Sequence, residues 1–202
     1  MAKKLLLDTF CSAGGCSMGY SRAGFEVVGV DIRRQKNYPF EFYQGDAIEF
    51  IKKHGGDFDV IHASPPCQKY SVSANIRYNK KDKHPDLLPQ TRATLDKVGI
   101  PYIIENVPGA PMRTDLRLFG YMFGLKVIRE RWFELGGGLF LMQPGIPARK
   151  GTVKHGDFVS VFGKGAYCKT KGDALPKFKK GTVKETWSFA MGIDWMSTRE
   201  LS

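Results

Sequence analysis

Four short apolar runs, each closed by a polar or charged residue, punctuate residues 4–107: "KLLLDTF", "EVVGVDI", "FDVIHAS" and "IPYIIENV". Helix-like stretches separate them: "SAGGCSMGYSRAGF", "FYQGDAIEFIKKHG" (a short strand, a turn and a helix) and "LLPQTRATLDKVG". Alternating strands and helices predict an α/β, Rossmann-like parallel sheet with helices on both faces. Such sheets bind ligands beyond the carboxyl ends of their strands. Asp8, Asp31, Asp46, Cys67 and Glu105 all fall at or just after strand ends.

The texture changes at Gly136. Glycine and proline recur, and "GLFLM" and "FVSVF" read as short strands of a small β-rich lobe. The expected organisation is a main domain over 1–135, a small basic region over 136–184, and a helix and turn ("KETWSFAMGIDWM") over 185–202 that returns to the main domain. The formal charge is +11, and residues 136–184 hold ten Lys/Arg against Asp157 and Asp173. Positive charge gathered in a Gly-rich segment points to a polyanion, most simply nucleic acid, although a solvated basic face reads the same way.

Composition excludes several classes. Hydrophobic residues make up 42% of the chain, enough for a packed core. No apolar run approaches the ~20 residues of a membrane span. "MAKKLLLDTF" turns acidic too soon for a secretion signal, so the expectation is a soluble, cytoplasmic protein, taken as a monomer. Cys11, Cys16, Cys67 and Cys168 form no CxxC pair, which argues against a metal site or a disulfide framework.

Two constellations carry chemistry. In the first, Gly14, Gly15 and Gly19 follow the first strand, where a ligand and the backbone can approach closely, although the spacing is not that of a dinucleotide fingerprint. Asp31 can accept bonds from ribose hydroxyls, and Asp46 from an amino group such as adenine N6. Each can equally be a turn or helix cap. In the second, "HASPPCQKYS" runs from a strand into Pro65-Pro66-Cys67, and Glu105 ends the next strand. The prolines stop the strand. Cys67 is then either a small buried hydrophobe or a thiol held rigidly at a pocket edge. A free thiol titrates near about 8.5 and needs local help to act as a nucleophile. In "RERWFEL", Arg129 and Arg131 alternate with Glu130 and Trp132, so an extended strand would put both arginines on one side, facing a base carbonyl, a phosphate or Glu105.

"DTFCSAGGCSMG", "SPPCQ", "ENV" and "RER", in that order and with "HPDLL" and "AMGIDWM", resemble the DNA (cytosine-5) methyltransferases, in particular small phage-type members. The resemblance covers roughly Leu5 to Phe133 and Glu185 to Met196. It implies S-adenosylmethionine as cofactor, with S-adenosylhomocysteine as product. Phe10, Ser12, Ala13, Gly14 and Gly15 would line its site, Asp31 would take the ribose and Ile32 the adenine face. Asp46 would bind the adenine amino group with Ala47 beside it, and Pro66 and Leu87 would close the pocket. It further implies that Cys67 attacks C6 of a flipped-out cytosine in double-stranded DNA, that Glu105 engages N3 and N4, and that Arg131, supported by Arg129, holds O2. Gln68, Lys69, Ser71, Arg77, Lys80 and Lys81 would belong to a loop closing on the DNA. The same motifs serve a tRNA-methylating branch, and a catalytically impaired DNA-binding homologue would share them too.

The sequence departs from the family pattern in three places. Val127 stands where the family has glutamine. Only about fifty residues separate Arg131 from Glu185, which implies a short or loose recognition sequence. The chain ends in "STRELS", before the Asn/Pro element that completes the cofactor pocket in relatives, so cofactor affinity is expected to be reduced.

Overall fold

The apolar runs become strands, and the intervals become helices that cover them. β1 (Leu5–Thr9), β2 (Glu26–Asp31), β3 (Glu41–Gln44), β4 (Val60–Ala63) and β5 (Tyr102–Asn106) are connected by α1 (Gly15–Arg22), α2 (Ala47–His54) and α3 (Leu88–Val98). β6 (Leu116–Leu118) and β7 (Arg131–Gly136) complete a seven-stranded sheet in the order β3-β2-β1-β4-β5-β7-β6. The computed structural model describes residues 2–70, 85–161, 174–178 and 180–201. Ser71, Arg77, Lys80, Lys81 and Cys168 lie outside the described residues.

The chain divides into two compact units, Met1–Arg117 with Arg131–Gln143, and Leu118–Glu130 with Pro144–Ser202. These borders differ from the expected ones at 135/136 and 184/185. In the first unit, side chains alternate across the sheet. Leu7, Val28, Val30, Ile61, Ala63, Tyr102 and Ile104 form one apolar face, buried with Ala47 and Ile51 of α2 and Leu88 and Leu95 of α3. Each fully buried Leu or Ile there is worth roughly 1.5–3 kcal/mol relative to exposure. Asp8 and His62, out of phase with that set, point to the opposite face and bond α1 through Ser17 and Tyr20. Helices therefore cover both faces, as expected.

The sheet is not wholly parallel: β1 to β5 run parallel, but β7 enters antiparallel beside β5, with Glu105 opposite Phe133. At the β6 edge, the Gln143 amide accepts from the Arg117 N–H at 2.6 Å and donates to the Arg117 carbonyl at 3.1 Å. The other edge, β3, is short, and Glu41, Tyr43 and Gln44 on it are exposed.

The second unit is built on α4 (Val183–Met191) and α5 (Thr198–Leu201). Thr182 and Glu185 form a reciprocal capping box at the start of α4, and Trp187 is fully buried. Lys126 ties in the 118–130 segment: its N–H donates to Ala190 and its carbonyl accepts from Val159. This is why these residues leave the first unit. The expected β-rich lobe is not found, since no strand occurs among the described residues of 137–182. Gly137 and Gly138 take positive φ at the end of β7. Pro144 and Pro147 then supply no N–H for a ladder. Among the described residues, no helix is long and apolar enough to cross a membrane.

Candidate active site

Beyond the carboxyl ends of the parallel strands lies a cleft of about 440 Å³. Phe10 and Ser12 reach it after β1, Asp31 and Ile32 after β2, Asp46 and Ala47 before α2, and Pro66, Cys67 and Gln68 after β4. Leu87 lies before α3, Glu105 at the end of β5 and Arg131 at the start of β7. Twelve of the residues singled out in the sequence thus share one cavity. Its volume is that of a typical small-molecule site.

One half of the cleft suits a nucleoside-bearing cofactor. Phe10 and Ser12 hold φ values of 56° and 46°, a conformation that L-residues rarely keep without an external reason. Asp31 locks this turn: its Oδ2 accepts from the Ser12 N–H at 3.0 Å and its Oδ1 from the Arg33 N–H at 2.9 Å. A carboxylate has about four lone-pair sites, so capacity remains for hydroxyl donors. Ile32 is 64% exposed, an apolar surface ready for a planar ring. Asp46 does cap α2, with Oδ1 accepting from the N–H groups of Ile48 and Glu49, and Oδ2 takes no part in those bonds. The cap and the ligand contact thus fit the same side chain.

In the other half, Arg131 Nε lies 2.6 Å from Glu105 Oε1, and both side chains are about a quarter exposed or less. β4 and β5 pair directly, which brings Cys67 and Glu105 to one opening. Asn106 sets the turn that carries the thiol. Only 2% exposed, it donates to the Pro65 carbonyl at 3.0 Å and accepts from the Val107 N–H at 2.9 Å. On either side of residues 71–84, Tyr70 and Lys69 both bond Asp86.

Beneath the cleft, on the α1 face, lies a buried polar layer. Asp8 is not at the sheet edge but 1% exposed, bonded to Ser17, which also meets Tyr38 Oη at 2.8 Å. Burial pushes its carboxyl up to about 7. His62, its register partner across β1 and β4, is fully buried, and burial lowers its pKa to about 4. Its Nδ1 meets Tyr20 Oη at 3.0 Å, and its Nε2 meets Ser64 Oγ at 2.8 Å and Cys16 Sγ at 3.4 Å.

Some expected residues lie elsewhere. Ala13 is buried, Gly14 is the left-handed N-cap of α1 and Gly15 opens that helix, and none of the three lines the cleft. Lys69 pairs with Asp86 at 3.2 Å. The expectation of Arg129 and Arg131 on one strand face fails, because β7 begins at Arg131 and Arg129 has a φ of 31°, which breaks the extended alternation. Arg129 instead directs Nη1 to Met191 Sδ at 3.9 Å within the second unit. Reading the sequence missed Arg33, Gln35, Ser64 and Val107 in the cleft wall, and Asn106 as the clamp of the Pro-Pro turn. Of these, Asn106 and Val107 carried a signal within "ENV" and Ser64 within "SPPCQ", while Arg33 and Gln35 carried none.

Among curated proteins, the chain is similar to the Type II methyltransferase M.FnuDI of Fusobacterium nucleatum, 30% identical over 79 residues that make up 36% of this chain and 23% of that protein. It is also similar to M.HgiGI of Herpetosiphon aurantiacus, 32% identical over 112 residues, 49% of this chain and 81% of that protein. The match to M.FnuDI therefore spans about a quarter of that protein's length. Among solved structures, the S. pombe Dnmt2 methyltransferase superposes with a TM-score of 0.45 at 19% identity, over 66% of this chain and 50% of that one. The family model of the C-5 cytosine-specific DNA methylases matches residues 5–120, more than half of the chain, which therefore belongs to that family.

Proposed function

We infer that the chain methylates C5 of a cytosine in double-stranded DNA, with S-adenosylmethionine as methyl donor. The observation that carries this reading is that Cys67 and the Glu105–Arg131 pair share one cleft with Asp31 and Asp46. Asp31 would hold the ribose hydroxyls, Asp46 the adenine amino group through Oδ2, and Ile32 the ring face. When bound, the cofactor supplies an electrophilic methyl group.

C5 of cytosine is a poor nucleophile until C6 is attacked, and neither carbon can be reached inside the base stack. The target base is therefore turned out into the cleft. Cys67 attacks C6 as the thiolate, and the ring electrons move toward C5. Glu105 engages N3 and N4 and offsets the change of charge on the ring, while Arg131 fixes the carboxylate and holds O2. The net charge of +11 favours the DNA backbone as partner. Arg129 is given no part in the reaction. M.FnuDI and M.HgiGI are named as Type II methyltransferases, which supports a modification role of that kind.

The test is incubation with labelled S-adenosylmethionine and duplex DNA carrying 5-fluorocytosine, with 5-fluorocytosine RNA in parallel. Fluorine cannot leave as a proton, so an active enzyme is trapped. The expected result is a covalent complex on DNA that is lost in Cys67→Ala. A complex on RNA alone would replace the substrate, and no complex on either polymer with the folded protein would refute the reading.

A further inference from the structure

We propose that Ser64, backed by His62, is the base that removes the C5 proton of the methylated ring. The proposal rests on the methyl-transfer reading above. That reaction leaves C5 with both a methyl group and a hydrogen, and the hydrogen must go before Cys67 can be released. Glu105 is paired with Arg131 and assigned to N3 and N4, and Cys67 is the leaving group, so neither is free to take the proton.

Ser64 lines the same cleft as Cys67, three residues before it, and its N–H is fixed to the Thr9 carbonyl at 3.2 Å at the end of the sheet. A serine hydroxyl alone is a poor base. It becomes competent when a second acceptor takes its own proton, as in serine–histidine pairs. His62 Nε2 stands 2.8 Å behind Ser64 Oγ. The imidazole is fully buried and neutral at neutral pH, which leaves a ring nitrogen open as acceptor, and because burial disfavours the imidazolium it holds that proton only in passing. In the tautomer protonated at Nδ1, it donates to Tyr20 Oη at 3.0 Å and leaves Nε2 as acceptor. The buried histidine thereby gains a use that packing alone does not require.

The step balances. The C5–H bond breaks and its proton passes to Ser64 Oγ, while the Ser64 hydroxyl proton passes to His62 Nε2. The C–H electron pair forms the C5–C6 double bond. The C6–S bond breaks, with its electron pair on Cys67, which leaves as the thiolate. The imidazolium returns its proton through Ser64 to water once the product has gone. Ser64 is thus a catalytic residue, and His62 a positioning and proton-holding residue behind it.

The test is single-turnover methylation of duplex DNA containing [5-³H]cytosine, following methyl incorporation and tritium release separately. Wild type releases tritium in step with methylation. Ser64→Ala is expected to incorporate methyl at close to the wild-type rate, release tritium about 10²-fold more slowly, and accumulate a detergent-resistant protein–DNA complex on ordinary cytosine. Ser64→Thr, which keeps the hydroxyl, should recover release. Tritium exchange without cofactor, which needs only attack by Cys67 and a base, should fall in parallel. His62→Asn should match Ser64→Ala if it folds, and Ser64→Ala decides the matter if it does not. Equal losses of methyl incorporation and tritium release in Ser64→Ala would mark a structural role and overturn the proposal, as would unchanged release. If wild type forms no adduct with 5-fluorocytosine, the methyl-transfer reading fails and the proposal falls with it. An adduct with undisturbed release in Ser64→Ala overturns the proposal alone.

Discussion

Gly29→Ala places a single methyl group where the structure has no room for one. A Cβ at Gly29 would fall onto Cζ and Oη of Tyr38, with Cε1 at 2.7 Å. Ordinary contacts are about 3.5–4.0 Å, so the ring must retreat by about 1 Å. It cannot do so freely. Tyr38 Oη bonds Ser17 at 2.8 Å, and the ring packs between Phe40 and Phe42 with centroids 5.8 and 5.6 Å away. Its opposite edge sits over Gly14, where a Cβ would find Tyr38 Cδ2 at 3.0 Å. Overpacking costs about 1–3 kcal/mol and a lost hydrogen bond about 0.5–1.5 kcal/mol, so the expected loss is about 2–4 kcal/mol. For a chain of 202 residues, this lowers the melting temperature by about 5–15 °C. Urea unfolding followed by circular dichroism measures the loss, and a cycle with Tyr38→Ala isolates its cause. With the ring removed, Gly29→Ala should be neutral or slightly stabilising, because alanine loses less backbone entropy than glycine. An equal cost with and without Tyr38 would refute the steric argument.

Asp8 and His62 should oppose one another in the pH dependence of stability. Native Asp8 keeps a proton that the unfolded chain releases above its ordinary 3.8, so its contribution falls as pH rises to about 7. Native His62 refuses a proton that the unfolded chain takes up below 6.5, so its contribution falls as pH drops to about 4. Urea midpoints should therefore rise between pH 4 and 6.5 in Asp8→Asn and fall over pH 4–7 in His62→Asn, with wild type flatter than both. Arg92→Met strands Glu134, which is 1% exposed and bonded by Arg92 Nε and Nη2, each at 2.7 Å. An expected loss of about 3 kcal/mol, largely recovered on adding Glu134→Gln, is readable by denaturant titration. Asn106→Ala should cost about 1–3 kcal/mol through the two bonds it removes. It should slow trapping on 5-fluorocytosine DNA at least tenfold, because the Cys67 turn loses its clamp, and Asn106→Asp should not restore the rate.

The first unit was legible because short apolar runs alternate with helix-like stretches, the pattern of a parallel sheet covered by helices. Asp31, Asp46, Cys67 and Glu105 were legible because strand ends define one rim of such a sheet. Arg129 was misread because alternation holds only while the backbone stays extended, and the left-handed turn there has no glycine to announce it. Among the described residues, the apolar stretch near Phe140 resembles a strand yet forms none, and Phe140 and Met142 are each 81% exposed. His62 and Ser64 passed as ordinary strand residues. The histidine's other partners, Cys16 and Tyr20, are more than forty positions away, and only the register of β1 with β4 and the seating of α1 bring them to it.

The amide of Gln143 on the Arg117 peptide bears on behaviour in concentrated solution. A terminal strand with vacant N–H and C=O groups is a template on which a second molecule can add its own strand, the first step toward fibrillar aggregates. Here a side chain from the same molecule takes both groups at the middle residue of a three-residue strand, and the opposite border is short and polar. Gln143→Ala would uncover that template. The molecule would then gain a route to self-association that leaves its reaction chemistry untouched, visible as light scattering that rises with protein concentration.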